Sequence, residues 1–282
     1  MKRKRLFMIF SLICSLALFT VATYSWIARS WTPELEYSQI SISTTGALII
    51  AFEDEKGEES VFNTVDVNEL MGVGDFVLKQ VSSFDGKNFY SANFTPVLDN
   101  GVPIYDENVK GKYIETVFWL KTQYESEEDS RGKVKDVFIH EDSYITVNGN
   151  NKNVELTIRI AIEIDGGPTY ILCANRRPGE KVYLEELYGA TSESVGKNVF
   201  KNYPTDKTLD TNNCQAIEAV YDLSYFNGDN GNILFTIPEA STQKITLRIW
   251  LEGCDEYCVN EIAGENLSIL IKFDSHDSRT VN

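Results

Sequence analysis

Histidines and carboxylates are the side chains of this sequence that could do acid–base or hydrolytic chemistry. The two histidines, His140 and His276, lie far apart, and neither stands in a zinc-protease, serine-hydrolase or phosphate-binding motif. We interpret both as solvated surface residues. The chain contains 42 Asp and Glu residues. A glycosidase-type pair of carboxylates could therefore be proposed at many positions, and no single pair is good evidence for a glycosidase. The sequence therefore predicts no catalytic residue.

Glu252 is the best single carboxylate for catalysis, because it lies on the polar side of a predicted strand beside Trp250. A structural interpretation is favoured. Arg248 lies four positions away on the same strand face and would pair with Glu252, and Gly253 would begin a turn. A secreted hydrolase that uses carboxylates stays as an alternative function.

Calcium is the one cofactor that the composition suits. Three segments place several oxygen ligands close together, at 125–129, 227–232 and 274–277. None has the spacing of a known calcium-binding loop, so we interpret them as ordinary solvated turns. The sequence predicts no metal ligands and no cofactor.

Cysteines lie at positions 173, 214, 254 and 258, beyond the N-terminal segment. An even number in an exported chain indicates disulfides. We favour the pairs Cys254–Cys258 and Cys173–Cys214. Four reduced thiols, or a zinc site completed by remote ligands, stay as alternatives.

Export is indicated by the N-terminal segment, where four cations at positions 2–5 precede an uncharged apolar run from Leu6 to Ile27. The cations would hold this end in the cytoplasm. At roughly 20 residues, the run is long for a signal peptide and just long enough to span a membrane. Residues 1–25 are predicted to be a signal peptide. An uncleaved anchor, which would contact the membrane only through residues 6–27, is the alternative.

Small residues near the outer end of the apolar run offer cleavage sites to a signal peptidase after Ala22 or after Ser25, with Thr23 between them. The following segment, 26–34, is a predicted N-terminal arm with three large apolar residues. Such residues suit a strand that adds to the sheet edge of a neighbouring subunit. Alternatively they form the first strand of their own core or the outer end of an anchor. The residues concerned are Trp26, Ile27 and Trp31.

The chain is strongly acidic, with a formal net charge of −16. Residues 1–25 contain four of the 26 Lys and Arg and none of the acids, so their removal takes the charge to −20. Such a surface repels nucleic acid and anionic lipid. The expected partners are further copies of the chain or other surface and matrix proteins.

A period of two in hydrophobicity predicts long strands at 154–164, 245–251 and 267–273, each with one buried and one wet face. Helical pattern is confined to short stretches at 64–71 and 179–188. We predict an all-β fold, an antiparallel two-sheet sandwich of jelly-roll type, after the N-terminal apolar helix. Residues 35–282 would form one domain, with polar surface insertions at 54–63, 123–135 and 189–213.

The segment Ala22-Thr23-Tyr24-Ser25-Trp26-Ile27 resembles the Thr-Tyr-Ala-Trp-Phe signature of Gram-positive exported proteins processed by a SipW-type signal peptidase, the TasA and camelysin class. The segments 40–49, 83–90, 113–121 and 249–258 are similar to clostridial members of this class. The resemblance implies a jelly-roll secreted subunit of a surface or matrix fibre.

Together these observations predict an exported structural protein without enzymatic activity, secreted or held at the cell surface, which polymerises through its processed N-terminal strand. A membrane-anchored extracellular module that binds carbohydrate is the second alternative. In that case Trp119, Trp250 and Tyr124 would stack on sugar faces.

The signal pattern yields a direct test. We expect the mature protein to begin at Trp26 or within about three residues of it, because the small residues precede that position. N-terminal sequencing of protein recovered from the cell surface and the medium measures this. Recovery of only full-length chain, extractable with membranes, would contradict the prediction and favour the anchored module.

Overall fold

The structure, a computed structural model, describes part of the chain. None of the described helices is long and apolar enough to cross a membrane. The predicted signal or anchor lies outside the described residues, apart from the helical and exposed Ser15 and Thr20. The other described residues are 34–35, 37–45, 47–53, 59–67, 77–83, 85–91, 111–122, 134–148, 154–174, 181–183, 219–228, 231–238, 241–253, 255, 258 and 265–278.

Most of the described residues lie in strands, in agreement with the predicted β fold. The strands are β1 Glu34–Leu35, β2 Tyr37–Thr44, β3 Leu48–Glu53, β4 Glu59–Phe62, β5 Thr64–Asp66, β6 Leu78–Ser82, β7 Tyr90–Ser91, β8 Ile114–Thr122, β9 Val134–Ile139, β10 Tyr144–Asn148, β11 Ile158–Ile164, β12 Thr169–Cys173, β13 Lys181–Tyr183, β14 Ala219–Asp222, β15 Phe235–Pro238, β16 Thr242–Glu252 and β17 Asn266–Asp277. A helical turn, Val154–Thr157, precedes β11, and a 3₁₀ helix, Leu223–Phe226, follows β14.

The larger sheet has the strand order β13-β14-β12-β11-β16-β8-β3-β4. Its central strand, β16, pairs antiparallel with β11 on one side and with β8 on the other. β8 begins opposite Ile249, and beyond that point Leu251 and Glu252 of β16 pair in parallel with Gln80 and Val81 of β6. β6 also pairs with β1 and β7.

The smaller sheet has the order β15-β9-β17-β2-β5, with β10 beside β17. β17 is twelve residues long and is its central strand. It pairs in parallel with β2, and antiparallel with β10 and then β9 along its other side.

The prediction of a purely antiparallel sandwich is wrong, because both sheets are mixed. The pairs β12–β14, β6–β16 and β2–β17 are parallel. Antiparallel neighbours can be joined by tight hairpins, whereas parallel neighbours need a longer connection. Each of these pairs joins segments far apart in sequence, which hydrophobic alternation within one strand cannot reveal.

The larger of two hydrophobic clusters lies between the sheets, as the alternation predicted. Ile245, Leu247, Ile249 and Leu251 of β16 are all buried in it, together with residues of β2 and β17 from the smaller sheet. The rings of Phe118 on β8 and Phe273 on β17 are 5.9 Å apart between centroids and join the two layers.

Part of the second face of the larger sheet, around the start of β11 and the end of β16, is covered as well, so the predicted wet face of residues 154–164 is wrong there. Residues 154–157 form the helical turn instead of a strand, and Arg159 and Ala161 of β11 are buried. A second apolar cluster lies on this outer face and includes Val81, Phe89, Ala161, Cys173 and Trp250.

Three short segments also differ from the sequence prediction. β4 lies within 54–63, which we expected to be an insertion, and β5 and β13 occupy parts of the two predicted helices. β5 and β13 are only three residues long. Their extended conformation is determined by pairing with β2 and β14, and not by the local sequence pattern.

Gly86 lies where the covering loop meets β11. Its φ is +69°, and a Cβ added there would be 2.7 Å from Cβ of Ala161. Both the left-handed conformation and the close approach require glycine. The loop therefore packs directly on the sheet at this point.

We expect Gly86→Ala to lower the free energy of unfolding by about 2–4 kcal/mol, combining left-handed strain with overpacking. Gly166→Ala is the matched control, because Gly166 has a φ of +72° but open space around it. It should cost about 1–2 kcal/mol from strain alone. Urea denaturation measures both, and equal losses would contradict the close packing of the loop.

Candidate functional site

Three segments that carry the family resemblance meet on the outer face of the larger sheet. They are the loop 83–89, Tyr113 just before β8, and the end of β16. The rings of Phe89 and Tyr113 stack with centroids 3.8 Å apart, and Phe89 meets Trp250 edge-on at 5.2 Å. Segments separated by long stretches of sequence thus form one packed unit.

The loop 83–89 is ordered by the buried carboxylate of Asp85. Its Oδ1 accepts hydrogen bonds from the backbone amides of Lys87 at 2.8 Å and Asn88 at 2.7 Å, and Oδ2 accepts from Asn88 Nδ2 at 2.6 Å. The amide of Gly86 donates to Oγ of Ser83 at 3.0 Å. Through these bonds the polar groups of the turn pair with one another, and the turn holds Phe89 over Trp250.

Glu252 is buried beneath this loop, at 2 % exposure. Trp250 Nε1 donates to its Oε2 at 2.9 Å, and Ser82 Oγ donates to its Oε1. The predicted pairing with Arg248 is wrong. Four residues along a strand span roughly 13 Å, beyond the reach of such a pair.

Arg248 instead pairs across strands. Its Nε donates to Glu115 on β8 at 2.5 Å, and its Nη1 donates to Glu163 on β11 at 2.7 Å and to the carbonyl of Gly86 at 3.1 Å. Lys87 also bonds Glu163, at 2.5 Å. Burial alone would raise the pKa of Glu163, but hydrogen bonds from Lys87 and Arg248 outweigh it and lower that pKa.

Arg159 and Asp255 form a second ion pair, which is fully enclosed. Arg159 Nη2 donates to Asp255 Oδ2 at 2.6 Å, and both side chains are 1 % exposed. Arg159 Nη1 also donates to the carbonyls of Leu156 at 2.6 Å and Ile158 at 3.1 Å. The sequence analysis missed this pair, because 96 residues separate its members.

This outer-face cluster positions segments but offers no access to a substrate. Glu252, Arg159 and Asp255 are buried and bonded to protein groups. The hydrolase alternative therefore loses its best carboxylate. Trp250 is also fully buried and Trp119 is half-buried, so the proposed sugar-stacking surface loses one aromatic residue. Tyr124, the third, lies outside the described residues.

The residues predicted for processing and assembly lie outside the part of the chain that the structure describes. The chain enters that part at β1, where Glu34 and Leu35 pair with Lys79 and Leu78 of β6. The residues concerned are Ala22, Thr23, Ser25, Trp26, Ile27 and Trp31.

β4 forms one edge of the larger sheet. It pairs with β3, and among the described strands it has no neighbour on its other side. All four of its residues are exposed, including Val61 at 54 % and Phe62 at 41 %. The Phe62 ring packs against Phe52 with centroids 6.1 Å apart, and Glu59 forms an ion pair with Lys121. β4 is thus paired with β3 on one side and, among the described strands, unpaired on the other.

The predicted disulfides stay predictions. Cys173 is buried in the second apolar cluster, and Cys258 is half-buried, with its amide donating to the carbonyl of Asp255 at 3.0 Å. Their predicted partners, Cys214 and Cys254, lie outside the described residues.

The histidines and the candidate calcium segments give no metal centre within the described residues, where no group of three His, Cys, Asp or Glu could hold an ion. Residues 274–277 belong to β17, so interpreting them as a turn is wrong. His276 lies near Asp136, with Nε2 and Oδ2 3.6 Å apart. Residues 125–129 lie outside the described part, as do two members of the 227–232 segment.

Comparison with known proteins does not assign the chain. No family model matches it, and no curated protein is significantly similar to it. The resemblance to the TasA and camelysin class stays a prediction.

The buried ion pair gives a stability test. We expect Asp255→Asn to lower the free energy of unfolding by about 3–5 kcal/mol, because it leaves the charge of Arg159 buried without its counter-charge. Glu115→Gln removes a partner of Arg248 that is 45 % exposed and should cost less than about 1 kcal/mol. Fluorescence of the tryptophans during urea denaturation measures both. Similar small losses would show that Arg159 is solvated.

Proposed function

We propose that this chain is an exported, non-enzymatic structural protein of a Gram-positive cell surface or matrix. In this proposal its domain is a jelly-roll-like sandwich, and subunits join when the processed N-terminal arm of one adds to a sheet edge of the next. The observation that carries the proposal is the open edge of β4 with its exposed apolar side chains.

The acceptor is suited to strand addition. An edge strand presents unpaired backbone donors and acceptors, and natural proteins usually protect long apolar edges. β4 is short, but Val61 and Phe62 both expose large surfaces. These side chains offer contacts to an added strand, in addition to the backbone hydrogen bonds.

The arm has suitable length and composition for a donor. Its residues 26–33 immediately precede β1, which fixes Glu34 in the chain's own larger sheet. Eight extended residues reach roughly 26 Å, enough to pass from one subunit to the edge of another. The arm also has three large apolar side chains whose burial would stabilise the contact, those of Trp26, Ile27 and Trp31.

Two kinds of interaction would favour addition of the arm to a sheet edge. Burying one large aromatic side chain contributes roughly 3 kcal/mol. Each backbone hydrogen bond added at the edge contributes about 1 kcal/mol net. These contributions oppose the entropy that is lost when the arm becomes ordered on a neighbour.

Deletion of residues 26–33 should leave a folded monomer that does not polymerise, because β1 and all other described strands remain. Val61→Lys should weaken assembly of the intact mature chain by placing a charge on the acceptor edge. Thr236→Lys is the control, since Thr236 is exposed on β15 at an edge of the smaller sheet.

Light scattering and electron microscopy measure polymer length, and circular dichroism checks folding. Two results would contradict the proposal. One is unfolding of the truncated protein, which would place the arm in its own core. The other is an intact mature chain that stays monomeric at high concentration, with calcium present.

A further inference from the structure

Two apolar rows of side chains cross the larger sheet and end at β4. On the core face, Ile50 of β3 lies opposite Phe62 of β4. On the other face, Ala51 lies between Trp119 of β8 and Val61 of β4. Phe62 and Val61 are the exposed ends of these rows. A further strand at this edge would continue both rows if it carried an apolar residue opposite each of them.

Glu59 gives the start of β4 a negative charge. Its side chain is 46 % exposed, although it forms an ion pair with Lys121. Its register partner on β3 is a second acid, Glu53. Like charges opposite each other destabilise a sheet, so a cation on the free side of Glu59 is favourable. From Glu59 to Phe62 the edge thus presents an acid, a small polar residue and two apolar residues, in that order.

The first four residues of the proposed arm have the complementary order. Aligned antiparallel to β4, they give one pair of opposite charges, one pair of small residues and two apolar pairs. The pairs are Arg29 with Glu59, Ala28 with Ser60, Ile27 with Val61, and Trp26 with Phe62. A shift by one residue in either direction separates Arg29 from Glu59 and leaves Val61 or Phe62 without a large apolar partner.

The length of the connection to β1 also favours the antiparallel direction. In this alignment, residues 30–33 lie between the paired part of the arm and Glu34, which pairs within the larger sheet of its own subunit. Four extended residues span roughly 13 Å, which is enough to pass between two subunits in contact. A parallel arm with the same charge pair would be bound as far as Thr32 and would leave only Pro33 to make the connection.

We propose, on the basis of the function proposed above, that residues 26–29 of one subunit bind antiparallel to β4 of another, with Arg29 opposite Glu59. The occupant of this edge is a second copy of the chain. The charge pair selects the direction and register of the added strand, because any other alignment leaves Glu59 beside a neutral residue. Trp26 continues the core-face row, and Ile27 continues the row on the other face.

Cysteines in place of small residues test the direction. Ala28→Cys and Ser60→Cys lie opposite each other if the arm is antiparallel, whereas Ser30→Cys and Ser60→Cys do so if it is parallel. Mature chains that carry one new cysteine each are mixed and oxidised, so that a bridge between the new positions joins two molecules. Mass spectrometry of the peptides identifies each bridge. We expect the bridge between positions 28 and 60 at several times the yield of that between 30 and 60, because directly opposed residues are within reach of a disulfide.

Neutral variants test the charge pair. Arg29→Gln should raise the concentration needed for polymerisation about two- to fivefold, because it removes one exposed ion pair. In a chain that already carries Glu59→Gln, it should have little further effect. Glu141→Gln is the matched control, because Glu141 is an exposed acid on the turn between β9 and β10. In that background the full effect of Arg29→Gln should remain. Light scattering against protein concentration measures each variant.

A polymer in which positions 30 and 60 form the main bridge would overturn the proposal by showing a parallel arm. A polymer with neither bridge, or an effect of Arg29→Gln that Glu59→Gln does not change, would also overturn it. These results leave the proposed function intact if deletion of residues 26–33 still abolishes polymerisation. An intact mature chain that never polymerises would contradict the proposed function and this register together.

Discussion

The end of β16, from Ile249 to Glu252, is buried on both of its faces, and the arrangement of the neighbouring segments follows from the need to cover each one. Leu247 and Ile249 point into the core between the sheets, so Trp250 and Glu252 must point the other way. A large indole and a carboxylate are costly there unless they are covered and bonded. The parallel pairing of β6 with the end of β16 provides both the cover and the hydrogen bond. It brings Ser82 to Glu252 and leads the chain into the loop over Trp250.

The ion pairs on the outer face restrict geometry more than they add stability. A buried pair such as Arg159–Asp255 gains little over an apolar packing of the same volume, yet separating its members is costly. This ion pair therefore requires the chain at residue 255 to lie close to the start of β11. Arg248 acts similarly, because its bonds to Glu115, Glu163 and Gly86 join two strands and the loop. The segments that meet here are far apart in sequence, and the contacts between them cover this face of the sheet.

Local periodicity explains what could be predicted from the sequence. Alternation identified β11, β16 and β17 and the inward residues of β16, because side chains alternate strictly along a strand. It could not show that the outer face is covered, since the covering loop lies far away in sequence. For the same reason the strand pattern extended wrongly into Val154–Thr157. β4 was missed because its four residues, Glu-Ser-Val-Phe, are too few to show a period.

Charge constrains how such subunits can associate. In the proposed mature form, whose formal charge is −20, broad faces of two copies repel each other, whereas strand addition gains from backbone hydrogen bonds and apolar contacts that need no charge. Residues 26–33 of the arm carry a single charged residue, Arg29, which is cationic. Addition of the arm to an edge of an acidic domain is therefore compatible with the charge distribution. Lateral packing of whole faces would require bound cations to offset the repulsion, and so should depend far more on ionic strength than end-to-end growth does.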